Sequence, residues 1–253
     1  GTVKSGSFDN LVELSSIAHS EQMWFHVDGA FGSFIRLDDE RRSLVSGIDQ
    51  ADSLVFDFHK WLHCPFDAGC VLVRQISNLQ STFSTNHSYL KKSEHDCSIN
   101  PCWYFDLGPE LSRSFRALKV WFTIKEHGIK KLGRKINENC QQAQYLTSLL
   151  DKSGHFIRIF RPVLLNIVNF RFQPDEFNET DFENVNKFNE ELLLDIQSTG
   201  FALPSSILIE NYFYIRIAIV SHRTIQSDLD QFVNILLNLY EIKINSFRNN
   251  LLN

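Results

Sequence analysis

The stretch Asp52–Arg74, "DSLVFDFHKWLHCPFDAGCVLVR", decides how the chain is read. An apolar run, Ser53 to Phe58, ends in His59-Lys60-Trp61. A turn follows, then a second apolar run from Gly69 to Arg74. Short apolar runs bounded by turn signals read as buried strands. Lysine is among the residues least often buried without a partner, so a lysine at the tip of such a strand calls for an account. Two are open: a surface side chain that snorkels to water beside Trp61, or an amine held at the sheet edge for chemistry.

Working outward, "MWFHVD" (Met23 to Asp28) is another short apolar strand, ending in an acid and followed by the small residues Gly29 and Ala30. One helical segment separates it from the strand before Lys60. Upstream, Ser7 to Ser20 places Phe8, Leu11, Leu14 and Ala18 at helical spacing, with Ser7 as the N-cap. Buried strands alternating with helices predict an α/β layer. Ligands of such sheets sit outside the carboxyl ends of the strands, which is where Asp28 and Lys60 fall.

An acid and a lysine aimed at one ligand fit pyridoxal phosphate. The amine forms a Schiff base with the aldehyde. The carboxylate keeps the pyridine nitrogen protonated, which makes the ring a better electron sink. Gly29 and Ala30 would let the ring lie close to the backbone. Taken alone, Asp28 reads first as a turn or helix cap. His26 shares the face of Asp28 and reads as a partner of that acid or as a core histidine. His59 and His63, with Cys64 and Cys70, invite a zinc reading, but Pro65 and the strand-like flanks oppose the helix it would need.

Downstream, residues 84–107 read as a long, functional loop. A helix is predicted from Gly108 to Gly128, with Pro109 in its first turn and an apolar stripe of Phe115, Leu118, Trp121 and Phe122. A second runs from Ile129 to Lys152. "FIRIF" and "LLNIVNFRF" alternate like half-buried strands. A helix over Asp181–Thr199, a strand over Tyr212–Val220 and a last helix from Thr224 to about Lys243 complete a small α+β block. The expected division is residues 1–145, part of a cofactor-binding large domain, and residues 146–253, the small domain.

The bulk numbers exclude several classes. The 253 residues are 43% hydrophobic and 22% charged, enough for a sizeable core. A net charge of −5 gives no nucleic-acid footprint. No apolar run approaches the ~20 residues that span a bilayer, and "GTVKSGSFDN" has no secretory h-region. Five cysteines without framework spacing predict free thiols in a reducing cytoplasm.

"HVDGAFG", "ADSLVFDFHKWLHCPFDAGCVLVR", "FDLGPELSRSFRALKVWFTIKEHG" and the tail "YIRIAIVSHRTIQSDLD" together resemble the group II pyridoxal-phosphate-dependent decarboxylases, the family of aromatic-L-amino-acid, histidine and glutamate decarboxylases, its bacterial members above all. The resemblance implies fold type I, a mostly parallel sheet with helices followed by a small α+β domain. It implies the cofactor pyridoxal 5'-phosphate, an L-amino-acid substrate and loss of its α-carboxylate as carbon dioxide. Lys60 would tether the cofactor, Asp28 would hold the pyridine nitrogen, Ala30 would sit against the ring, His59 would lie beside cofactor and substrate, and Asp57 falls where the family contacts the phosphate. Tyr104 is the nearest candidate for the loop's proton donor. The aromatic loop residues Trp103, Tyr104 and Phe105 favour an aromatic or apolar substrate side chain, although packing explains them equally.

The same comparison gives departures. The family's chains are much longer, and this sequence starts inside their large domain. That predicts an absent N-terminal half, an open sheet edge, and a homodimer or a pairing with a chain that supplies the missing part. Val3 and Lys4 stand where many relatives carry Thr and Asn, and Phe58 replaces the proline of "DPHKW". Two alternatives to decarboxylation follow: a non-catalytic assembly subunit, or a transaminase or aldehyde synthase on the same scaffold.

Overall fold

The computed structural model describes residues 1–84, 103–154, 156–178 and 180–251. The chain divides into two compact units. One comprises Asn10–Ser33 and Val45–Ile129; the other comprises Gly1–Asp9, Phe34–Leu44 and Lys130–Asn253.

The first unit is built on a three-stranded sheet, β1 (His26–Asp28), β2 (Ser53–Asp57) and β3 (Gly69–Val73), in that spatial order. β1 pairs parallel with β2, and β2 antiparallel with β3. Helix α1 (Leu11–Ser20) starts at Asn10, whose side chain accepts the Glu13 N–H at 3.3 Å. Ser7 is therefore not the cap; Asn10 satisfies one of the helix's orphan donors instead. Leu11 and Ala18 of α1 pack with Phe25, Val27, Ala51 and Leu54, so the helix covers one face of the sheet. β1 alternates exposed, buried, exposed along His26, Val27 and Asp28, which puts His26 and Asp28 on the opposite, open face. The rest of this unit holds α2 (Ile76–Phe83) and α3 (Arg116–His127).

Two expectations for this unit need correcting. Helix α3 begins at Arg116, not in the turn after Pro109. Arg113 donates to the Tyr104 carbonyl at 2.6 Å and Arg116 to Asp67 at 2.9 Å, and these ties hold the preceding residues as a loop. The stripe Phe115, Leu118, Trp121 and Phe122 is exposed, and α3 buries no residue among those described.

The second unit is a four-stranded antiparallel sheet in the order β4 (Ile157–Ile159), β5 (Ile167–Phe172), β7 (Tyr212–Ala218), β6 (Ser205–Ile209). Helices α4 (Ile129–Ser153), α5 (Phe182–Ser198) and α6 (Gln226–Leu251) contribute to one core with it, including Leu146, Leu150, Phe170, Phe172, Leu192 and Leu236. Asp181 caps α5. Asn189 on α5 accepts from the Phe172 N–H at 2.7 Å and donates to the Phe172 carbonyl at 2.9 Å, which binds helix to strand through a buried amide.

β5 is buried on both faces, not half-buried. Its inner face meets the helical core. On its outer face Asn169 donates to the Lys4 carbonyl, and Arg171 lies 3.8 Å from the centre of the Tyr212 ring. β6 escapes the sequence reading. It forms a hairpin with β7 through Glu210 and Asn211, both at positive φ, a primed-turn geometry reached without the glycine that usually announces it. Thr224 gives its carbonyl to Gln142, and α6 starts two residues later and runs past Lys243. Among the described residues, no helix is long and apolar enough to cross a membrane.

Two predictions follow for this unit. Gly133 lies inside α4, where Gly→Ala ordinarily stabilises a helix by about 1 kcal/mol. Here an added Cβ would stand 2.2 Å from the Leu37 carbonyl oxygen. Gly133→Ala is therefore expected to lower stability by about 1–3 kcal/mol, read from the urea midpoint. Burial pushes the Cys140 thiol up to about 12 from 9.0. A thiol harder to ionise in the folded chain than in the unfolded one contributes its full stability below pH 9 and loses it as pH rises toward 12. Between pH 8 and pH 10, under reducing conditions, Cys140→Ala is expected to lose about 1 kcal/mol less than the unchanged chain.

Candidate active site

The register of the sheet assembles the site. Asp28 pairs with Val55 across the parallel β1–β2 ladder. Paired residues of adjacent strands point to the same face, and so do residues two apart on one strand. Asp28, Val55 and Asp57 therefore share a face at the carboxyl ends of neighbouring strands. The chain then turns, and Lys60 folds back so that its Nζ lies 2.7 Å from Asp57 Oδ2. The ion pair brings the amine to the face that carries Asp28.

The turn is firmly seated. Trp61, Leu62, Cys64 and Ala68 are buried, and the Trp61 ring stacks on Phe31 at 4.7 Å. Lys60, by contrast, keeps 42% of its side chain exposed. The charge thus stands at the open rim while its neighbours anchor the backbone. The Phe58 N–H donates to the Ala68 carbonyl, and the Ala68 N–H donates back to His59 Nδ1 at 3.0 Å. A nitrogen that accepts carries no hydrogen, so neutral His59 holds its proton on Nε2. Phe66 packs edge-on against the His59 ring.

Asp28 has one oxygen engaged: Oδ1 accepts the Ala30 N–H at 3.0 Å. Nearby, Arg116 and Lys119 both reach Asp67. A hydrogen bond from its own backbone, and then Arg116, hold the Asp67 carboxyl below the usual carboxylate range. This cluster, which the sequence reading missed, fastens the start of α3 to the turn that carries His59. Burial also pushes up the half-buried Cys70 thiol, on β3 opposite Phe56.

A lysine nitrogen paired with Asp57 and a carboxylate with one open oxygen, on a single face, form a donor set that suits a pyridine aldehyde. Residues 1–173 match the sequence model of the pyridoxal-dependent decarboxylase conserved domain. The chain belongs to the pyridoxal-dependent decarboxylase family. It is 35% identical over 91% of its length to the aromatic-L-amino-acid decarboxylase of Bacillus atrophaeus, of which it covers 47%. It is 30% identical over 97% of its length to the phenylacetaldehyde synthase of Petunia hybrida, of which it covers 49%. The tryptophan decarboxylase of Catharanthus roseus, solved in complex with L-tryptophan, superposes with a TM-score of 0.83 at 26% identity, over 96% of this chain and 50% of that one. The chain spans about half the length of the relatives it matches, and the fold is that of the family.

Among the residues singled out from the sequence, the structure gathers Asp28, Ala30, Asp57, His59 and Lys60 in one unit, on β1, β2 and the segments that directly follow them. The Asp57 carboxylate faces Lys60. Tyr104 belongs to the same unit, in a short 3-10 turn over Tyr104–Leu107, and is 79% exposed. The loop expected over 84–107 lies mostly outside the described residues. Val3 and Lys4 belong to the other unit, where their carbonyls accept from Arg216 and Asn169.

Gly29 has a packing role. Its N–H donates to the Val55 carbonyl, and an added Cβ would meet Ser33 Cβ at 2.7 Å and Leu54 Cδ1 at 3.0 Å. The small residue lets β1 lie close to its neighbours, on the side away from Asp28. Gly29→Ala is accordingly expected to destabilise the cofactor-free chain by about 1–3 kcal/mol. A urea titration without pyridoxal phosphate checks this, and an unchanged midpoint would return Gly29 to the role of cofactor clearance.

Proposed function

We propose that this chain carries the lysine-bearing part of a pyridoxal-phosphate-dependent amino-acid decarboxylase site, acting on an L-amino acid with an aromatic side chain. The observation that carries the reading is the shared face: the β1–β2 register and the Asp57–Lys60 pair bring an amine to the side on which Asp28 stands. When bound, pyridoxal phosphate supplies a ring that accepts the electron pair left as the substrate's α-carboxylate departs as carbon dioxide.

The chain's own residues then have distinct tasks. Lys60 binds the aldehyde carbon, and Asp57 is its resting counter-ion. The open oxygen of Asp28 would hold the pyridine nitrogen and keep it protonated. Ala30 offers the ring a small contact beside that carboxylate. His59, held by the Ala68 N–H, presents Nε2–H toward cofactor and substrate. Tyr104 is the candidate that returns a proton to the α-carbon. An aromatic substrate is supported by the names of the relatives, an aromatic-L-amino-acid decarboxylase and a phenylacetaldehyde synthase. The working assembly in this reading is a homodimer, or a pairing with polypeptide equivalent to the other half of the relatives' length, in the cytoplasm.

Incubation with pyridoxal phosphate, borohydride reduction and peptide mapping tests the tether. The label is expected on Lys60 and is expected to vanish in Lys60→Ala; absence of label from the unchanged chain would overturn the proposal. A second reading, aldehyde formation, draws on the phenylacetaldehyde synthase relative. With L-phenylalanine or L-tyrosine as substrate, release of amine together with carbon dioxide supports decarboxylation, and aldehyde as the main product supports the second reading.

A further inference from the structure

His59 depends on one backbone group. The Ala68 N–H donates to His59 Nδ1 at 3.0 Å. A backbone N–H only donates, so Nδ1 is the acceptor and the neutral ring carries its hydrogen on Nε2. Among the described residues Nε2 has no hydrogen-bond partner. The ring therefore offers one N–H outward for as long as the Ala68 N–H stays in place. That N–H belongs to the peptide joining Asp67 to Ala68. On its far side Ala68 is buried, and its carbonyl accepts the Phe58 N–H at 2.9 Å. On its near side Pro65 is exposed, and so is Phe66, which packs edge-on against the His59 ring. Asp67 is tied there by its side chain. Its Oδ2 accepts from Arg116 Nε at 2.9 Å, and Lys119 Nζ lies 3.8 Å from Oδ1. Its own backbone N–H, and then Arg116, hold this carboxyl below the usual carboxylate range, so the pair stays charged at neutral pH. An ion pair this open to water contributes little to stability. What it supplies is orientation of the peptide that faces the imidazole.

We propose that Arg116 is a positioning residue for His59, acting through Asp67 and the Asp67–Ala68 peptide to keep Nδ1 occupied and the Nε2–H group directed outward. Arg116 is the first residue of α3, a helix that buries none of its own residues among those described. The helix thus has a task other than packing: it presents an arginine to the turn that carries His59. Arg113, in the segment leading into the same helix, donates instead to the Tyr104 carbonyl at 2.6 Å and provides an internal control. The inference rests on the proposed function for its consequence, since His59 is directed there toward cofactor and substrate. The positioning itself can be measured without any cofactor.

Long-range nitrogen–proton correlation spectra of the cofactor-free chain, recorded with the imidazoles neutral, test it. The unchanged chain is expected to show His59 protonated at Nε2. Arg116→Ala is expected to raise the Nδ1–H tautomer of His59 about tenfold, the equivalent of one net hydrogen bond, and to speed exchange of the Ala68 amide hydrogen by a similar factor. Arg116→Met keeps the stem, removes the donor, and is expected to behave as Arg116→Ala does, so the test does not hang on one variant folding. Arg116→Gln places an amide N–H where Arg116 Nε stands and is expected to match the unchanged chain. Arg113→Ala is expected to leave both readouts as they are. Protonation of His59 at Nδ1 in the unchanged chain would overturn the proposal. So would Arg116→Ala and Arg116→Met spectra equal to that of the unchanged chain, or an Arg116→Gln spectrum equal to theirs. An Arg113→Ala effect as large as that of Arg116→Ala would reduce the role to a merely structural one and overturn it as well. If Lys60 takes no borohydride label in the unchanged chain, the proposed function fails, and these spectra still decide the positioning.

Discussion

The site depends on the register of two short parallel strands. Asp28 opposes Val55, and through that pairing it shares a face with Asp57 and, at one remove, with Lys60. Side chains alternate with a period of two, so a slip of one residue would send Asp28 to the side covered by α1. The register is held from that covered side. Phe25, Val27, Ala51 and Leu54 are packed beneath Leu11 and Ala18, and a slip would expose this cluster while burying His26 and Asp28. Hydrophobic packing on one face thus fixes the geometry of charged groups on the other. Gly29 belongs to the same lock, since its missing side chain lets Ser33 and Leu54 close up behind the carboxylate.

The second constraint is the turn after β2. A lysine on a mobile loop would sample many positions; here the residues on either side of Lys60 are bound. Trp61 and Leu62 are buried, and the His59 ring is clamped by the Ala68 N–H. The lysine backbone is held by buried neighbours, while its side chain stays partly exposed and pairs with Asp57. In the proposed function that combination would suit an amine that holds an aldehyde, since the Cα is placed and the stem is flexible. The Asp57 carboxylate gives the amine a partner at a distance, 2.7 Å, typical of a charge-assisted hydrogen bond.

Much of this was legible in the sequence because the signals are local. The strands at Val27, Val55 and Val71 appear as short apolar runs, and a charged residue at the tip of such a run stands out. The helices over 129–153 and 182–198 follow from a 3.6-residue period, with Asp181 as a visible cap. What was not legible depends on partners distant in the chain. β6 was missed because its hairpin turns on Glu210-Asn211, residues that do not advertise positive φ. The onset of α3 was misplaced because Asp67, 49 residues away, competes for Arg116. β5 reads as half-buried until the segment containing Lys4 is seen on its outer face.

The same distinction explains why His26 had no assignable partner in the sequence and acquires one in the structure. A histidine two residues before an aspartate in a strand is compatible with a core residue, a surface residue or a partner of the acid. Its environment is set by Ser53, 27 residues on. Ser53 is set in turn by Trp24, whose indole can only give a hydrogen. Direction enters the network at that group, whose hydrogen Ser53 Oγ accepts. A phenylalanine in place of Trp24 would remove the hydrogen bond to Ser53 while leaving most of the apolar surface in place. A donor that engages the polar face is therefore supplied by a residue that, read alone, looks like part of the strand's hydrophobic run.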